Sequence, residues 1–210
     1  MATAKKSGPA TTARGKAKSA APPKTKASAR TKQAANKSAS AKTPARKPVA
    51  ATIEAADLAG RRAPDFSLPD QDGAQVSLAS LTERGDVVLY FYPKDMTPGC
   101  TVEACCFRDE IGKIRALGAQ VVGVSADSAS SHRRFIDKHG LNFPLLSDPD
   151  NRMTAAYGVY KKKSLYGREY MGIERTTFII GRDGVVKKVF PKVKVNGHAG
   201  EIIAALANRS

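Results

Sequence analysis

Asp86-Val87-Val88-Leu89-Tyr90-Phe91-Tyr92, closed by Pro93, is a short continuous apolar run with β-branched and aromatic members. Such a run reads as a buried central strand, and the proline ends it. The chain from Cys100 to Leu117 then changes period. Cys100, Ala104, Phe107, Ile111 and Ile114 recur at helical spacing and share one face, with Gly118 as the stop. Val121-Val122-Gly123-Val124-Ser125 is a second buried strand. Strand, helix and strand in that order make a βαβ unit with a parallel pair.

Outward from this unit, the pattern predicts a helix over 130–138 with Phe135 and Ile136 inward and Gly140 as its C-terminal signal. A short helix fits 151–157, after the turn Ser147-Asp148-Pro149-Asp150. Two apolar runs, 176–180 and 185–190, flank Gly181-Arg182-Asp183-Gly184, a hairpin signal. Residues 199–207 close the domain as a helix. The order β-α-β-α, hairpin, α is the layout of an α/β thioredoxin-like fold, a mixed central sheet flanked by helices. Lys161-Lys162-Lys163 reads as a solvated loop that could at most assist an acidic partner.

The net charge of +16 is concentrated at one end. Residues 1–50 hold thirteen Lys and Arg and no acid, which leaves 22 basic against 19 acidic residues beyond them. Between Ala2 and Pro48 there is no Val, Leu, Ile, Phe, Tyr or Trp, so the segment cannot bury enough apolar surface to offset its ordering entropy. The expected organisation is a disordered basic tail, 1–50, and one globular domain, 51–210. The tail lacks the apolar stretch of a secretory signal or membrane span, and the bulky apolar residues of an amphipathic import helix. Its Ala-Lys-Pro-Ser texture resembles a histone H1-like terminus. That resemblance implies sequence-independent binding to DNA through phosphate neutralisation, without base stacking; a merely solubilising extension is the plainer alternative.

The chemistry gathers around the cysteines. Cys100 follows Pro98-Gly99 at the mouth of a helix, where unpaired N–H groups and the helix dipole lower a thiol pKa from about 8.5 toward about 3.5–7.5. Cys105 follows five residues later, close enough to trap an oxidised Cys100 if the helix opens. Three cysteines within seven residues do not make an extracellular disulfide framework and suggest a reducing compartment. There is no C-x-x-C, and no histidine pairs with a cysteine at metal-ligand spacing, so neither metal nor cofactor is expected. By itself Cys100 could be an inert buried thiol, Thr97 a helix cap, and Arg175 an ordinary surface residue.

Pro93-x-x-x-Thr97-x-x-Cys100 matches the active-site pattern of the peroxiredoxins. The longer run Thr97-Pro98-Gly99-Cys100-Thr101-x-Glu103-Ala104-Cys105-x-Phe107-Arg108-Asp109 resembles their Q-type branch, the bacterioferritin co-migratory proteins. Ala63-Pro64-Asp65-Phe66-x-Leu68-Pro69-Asp70, Ser147-Asp148-Pro149 and Arg175 before Thr176-Thr177-Phe178 extend the likeness over roughly 60–208.

The resemblance implies a thiol peroxidase for hydrogen peroxide and organic hydroperoxides. Cys100 would be the peroxidatic nucleophile that becomes a sulfenic acid, and Cys105 the resolving thiol in a Cys100–Cys105 disulfide. Thr97 and Arg175 would complete the catalytic set, with Pro93 and Gly99 at the substrate. Thioredoxin or a similar dithiol is the implied reductant, and a cytoplasmic monomer the implied setting, with a bacterial nucleoid or a nucleus suited to the tail. In an intact helix, residues five apart are turned by 140° and separated by about 7.5 Å of rise, whereas bridged cysteines need Cα atoms within about 7 Å. The disulfide therefore requires the first turns to unwind. Cys106 departs from the family pattern and reads as a partly buried spectator, although spacing alone leaves it open as a resolving thiol. A C-x-x-C-type disulfide reductase and a DNA-binding architectural protein are the competing readings.

Overall fold

The computed structural model describes residues 54–165 and 167–208. The basic segment 1–50, expected to be disordered, lies outside them.

The quoted run forms β3 (Asp86–Phe91) at the centre of a five-stranded sheet. Before it come a short hairpin, β1 (Ser67–Pro69) and β2 (Gln75–Ser77), and α1 (Leu78–Thr82). After it come α2 (Pro98–Ala116), β4 (Ala119–Ser125), α3 (Ala129–His139), β5 (Leu145–Ser147) and α4 (Arg152–Ala156). A second hairpin, β6 (Tyr160–Leu165) and β7 (Arg168–Ile173), precedes β8 (Thr176–Ile180), β9 (Val186–Phe190) and α5 (His198–Ala207). The main sheet runs β5-β4-β3-β8-β9. β4 lies parallel to β3 and β5, while β8 runs antiparallel to β3 and β9.

Both faces of β3 are covered, which is why its sequence is apolar without alternation. Val88, Tyr90 and Tyr92 join a core with Cys100, Ala104, Phe107, Ile111 and Ile114 of α2, Phe135 of α3 and Ile202 of α5. Val87, Leu89 and Phe91 face the opposite core, with Leu78 and Leu81 of α1, Met153 of α4 and Tyr157. Gly123 on β4 makes room for the first of these cores. A Cβ there would fall 2.6 Å from Leu145 Cδ2 and 2.8 Å from Tyr90 Cζ. α3 is capped at both ends, by the Ser128 side chain accepting from the Ser131 N–H and by Gly140 at φ 61.

The thioredoxin-like layout expected from the sequence is present, with additions. β5, three residues long, runs into the expected Ser147-Asp148-Pro149-Asp150 turn from a stretch to which the sequence assigned no element. Lys161, Lys162 and Lys163 do not form a loop but lie in β6, paired in register with β7. The charged, largely exposed residues of that hairpin carry no apolar alternation to betray a strand. The helix expected over 151–157 is α4, and Ile136 is only partly buried beside Phe135. Ala55 and Leu58 are already core residues, so packing begins upstream of the Ala63-Pro64-Asp65-Phe66 run. No helix among the described residues is long and apolar enough to cross a membrane.

Candidate active site

The loop from β3 into α2 carries the thiol. Thr97 is the N-cap residue, at φ −77 and ψ 148, and Pro98 opens the helix, where its missing N–H costs nothing. Gly99 and Cys100 follow as the second and third residues, so their N–H groups have no partner within the helix. Thr97 does not cap with its side chain. Its hydroxyl donates instead to the Lys94 carbonyl at 3.1 Å, while its own carbonyl accepts from the Thr101 N–H at 2.9 Å. Pro93 and Gly99 are exposed at the rim. A Cβ on Gly99 would meet Arg175 Nη2 at 3.5 Å, so any side chain here would begin to roof the guanidinium.

Cys100 is 2% exposed, and Arg175 Nη2 donates to its sulfur at 3.2 Å. Arg175 stands just ahead of β8, and the antiparallel pairing of β8 with β3 carries it to the mouth of α2. Its other terminal nitrogen, Nη1, donates to Glu103 Oε2. One guanidinium thus forks between a thiol and a carboxylate. Burial works against the Arg175 charge, but Glu103 and Cys100 together raise its pKa above the usual arginine value.

Glu103 is the residue that sequence reasoning passed over. It is 1% exposed, and its second oxygen, Oε1, has no hydrogen-bond partner among the described residues. Burial pushes its carboxyl up from 4.5 to about 7, against the pull of Arg175. Its spacing of three from Cys100 places both on one helix face, and that was the available signal.

The structure keeps the other cysteines apart from this pair. All three thiols are free, and Cys105 and Cys106 are half-buried on α2. α2 is continuous from Pro98 to Ala116, so Cys100 and Cys105 keep the helical separation that forbids a bond without unwinding. Cys106 packs against the α2 core, where burial and the Asp109 carboxylate push its thiol up. His132, given no role from sequence, is fully buried against Asp95 beneath the loop. His198 heads α5, its Nε2 2.8 Å from Thr177 Oγ1.

A mixed sheet of this topology, with a thiol in the first turn of the helix after the central strand and an arginine on it, defines a thioredoxin-like thiol oxidoreductase. Residues 59–189 match the model of the AhpC/TSA family. The chain is 49% identical to a putative peroxiredoxin bcp of Coxiella burnetii over 147 residues, 70% of this chain and 97% of that protein. It is 46% identical to the peroxiredoxin Bcp of Bacillus subtilis over 151 residues, 72% and 96% of the two. A solved peroxiredoxin Q of Xanthomonas campestris superposes with a TM-score of 0.66 at 42% identity, covering 69% of this chain and 90% of that one. The chain belongs to the Bcp/Q branch of the peroxiredoxins and is a peroxidase of the oxidoreductase class.

Proposed function

We propose that the chain reduces hydrogen peroxide and organic hydroperoxides through Cys100 and closes its cycle with a Cys100–Cys105 disulfide that thioredoxin or a similar dithiol reduces. The observation that carries this reading is the forked arginine, with Nη2 on the Cys100 sulfur. A thiolate here attacks the terminal oxygen of ROOH. The O–O bond breaks, a sulfenic acid forms on Cys100, and the alkoxide takes up a proton to leave as alcohol, or as water from hydrogen peroxide. Arg175 and the Gly99 and Cys100 N–H groups supply donors for the developing oxyanion, and Thr97 and Pro93 shape the approach. Cys105 then condenses with the sulfenic acid, forming the S–S bond and expelling water, and two thiol exchanges with the dithiol restore both cysteines. A Xanthomonas campestris bacterioferritin comigratory protein, 42% identical, is described by its alkyl peroxide reduction activity, which supports the organic hydroperoxide arm. The role is defence against oxidative stress by a monomer in a reducing compartment, the bacterial cytoplasm.

One equivalent of peroxide added to reduced protein, followed by blocking of free thiols and mass mapping, tests the assignment. The expected product is Cys100 linked to Cys105 with Cys106 blocked. A dominant Cys100–Cys106 link overturns it.

The charge of residues 1–50 supports a second role, holding the peroxidase near DNA. A gel shift of the full chain against residues 51–210 tests this, with salt-sensitive binding expected only of the full chain. Equal weak binding by both removes the tether.

A further inference from the structure

We infer that the buried chain Tyr92–Asp95–His132 is a clamp that holds the active-site loop in its peroxide-reactive form and sets how readily α2 unwinds to let Cys105 reach Cys100. The inference rests on the proposed Cys100–Cys105 step and concerns what governs it.

Asp95 lies midway between the end of β3 and Cys100 and is 4% exposed. The Tyr92 hydroxyl donates to its Oδ1 at 2.7 Å, and His132 Nδ1 sits 2.9 Å from its Oδ2. His132 Nε2 in turn lies 3.2 Å from the Leu146 carbonyl of β5. The Asp95 N–H donates to Asp127 Oδ2 at 2.8 Å, and Ser125 Oγ donates to that same oxygen at 2.9 Å. One loop residue is therefore tied to Tyr92 at the exit of β3, to α3 and to the turn after β4, and through His132 to β5. Burial alone would push the Asp95 carboxyl up, but His132, Tyr92 and Ser131 bring it below its ordinary value. The anchor is a charged group kept inside the fold.

The next residue is strained. Met96 has φ 59, a left-handed conformation unfavourable for a side chain of its kind, and its side chain is 39% exposed. Such a backbone persists only where its surroundings impose it. Asp95 fixes the chain on one side and α2 on the other, so freeing Asp95 lets the strain relax toward an open loop. The first turn of α2, where unwinding must begin, follows directly. The clamp thus favours the folded site that meets peroxide and opposes the opening that resolves it. A residue that only stabilised the fold would, when weakened, lower both steps together.

The full chain with Asp95→Ala, and separately with Tyr92→Phe, tests this. Rapid quench with thiol alkylation and intact mass gives the rate of Cys100 oxidation and the rate of disulfide formation. Disulfide formation is expected to rise about tenfold in Asp95→Ala and about threefold in Tyr92→Phe, scaling with the hydrogen bonds removed. Peroxide reaction is expected to slow, and the sulfinic acid formed on Cys100 at high peroxide to fall. Hydrogen exchange over residues 98–105 of the reduced protein reads the opening without chemistry and is expected to quicken in both variants. If Asp95→Ala does not fold, Tyr92→Phe decides. Unchanged exchange and an unchanged or slower disulfide step overturn the clamp. Faster exchange with no Cys100–Cys105 link in the wild type overturns the disulfide assignment and leaves the clamp standing.

Discussion

Cys100→Ser abolishes peroxide consumption, with an expected loss on the order of 10⁴-fold or more in single-turnover rate. A serine hydroxyl is scarcely ionised near neutrality, and oxygen is a far poorer nucleophile than sulfur toward peroxide. The substitution is otherwise quiet. The site is 2% exposed, the hydroxyl is nearly isosteric, and Arg175 Nη2 keeps an acceptor where it now meets the sulfur at 3.2 Å. Thermal unfolding should move by no more than a few degrees, which assigns the loss to chemistry. Cys105→Ser makes the contrast. It should consume one equivalent at near wild-type rate and then stall with a sulfenic acid on Cys100. Peroxide loss followed by titration of remaining peroxide separates the two. Turnover retained by Cys100→Ser would refute the mechanism, and salt-sensitive DNA binding by that variant would show that the tail acts independently of the thiol.

What could be read in advance follows from how far each interaction reaches along the chain. The βαβ unit was legible because β3, α2 and β4 each announce themselves within a dozen residues, by an apolar run or a helical stripe. β5 was not, since three residues are too few to establish a period, and it exists as a partner for β4. The β6–β7 hairpin was hidden by charge. Contacts across it, such as Lys162 with Glu169, are visible only once the register is known. Cys100 was legible from its turn and helix mouth. Arg175 was not, except by resemblance, because 75 residues separate it from the sulfur it touches and only the β3–β8 pairing joins them. Glu103 could have been found from its spacing to Cys100. The Asp95–His132 contact, 37 residues apart, carried no local signal.

Arg175→Met costs activity and stability for different reasons, and a second substitution divides them. Removing the donor on the sulfur and the developing oxyanion is expected to lower the peroxide rate by about 10²–10³-fold. It also leaves Glu103, 1% exposed, without the hydrogen bond that Arg175 donates to it. Stranding one member of a buried pair costs about 3–5 kcal/mol. Glu103→Gln alone keeps an acceptor for Arg175 and discards the buried charge, so little stability should be lost. Its effect appears in the pH profile. The folded carboxyl holds its proton up to about 7, whereas its ordinary value is 4.5. Between those values the native state binds more protons than the unfolded chain, so unfolding free energy falls as pH rises through the window and levels above it. Denaturant unfolding across pH should show that decline in the wild type, and its Glu103 contribution should vanish in Glu103→Gln. In Arg175→Met/Glu103→Gln the stability lost by the single arginine variant should largely return, because no carboxylate remains to be stranded. The peroxide rate should not return, since the donor is still missing. Strict additivity of the two stability changes would mean that Arg175 and Glu103 are neighbours without coupling, and the forked guanidinium would then hold the thiol alone.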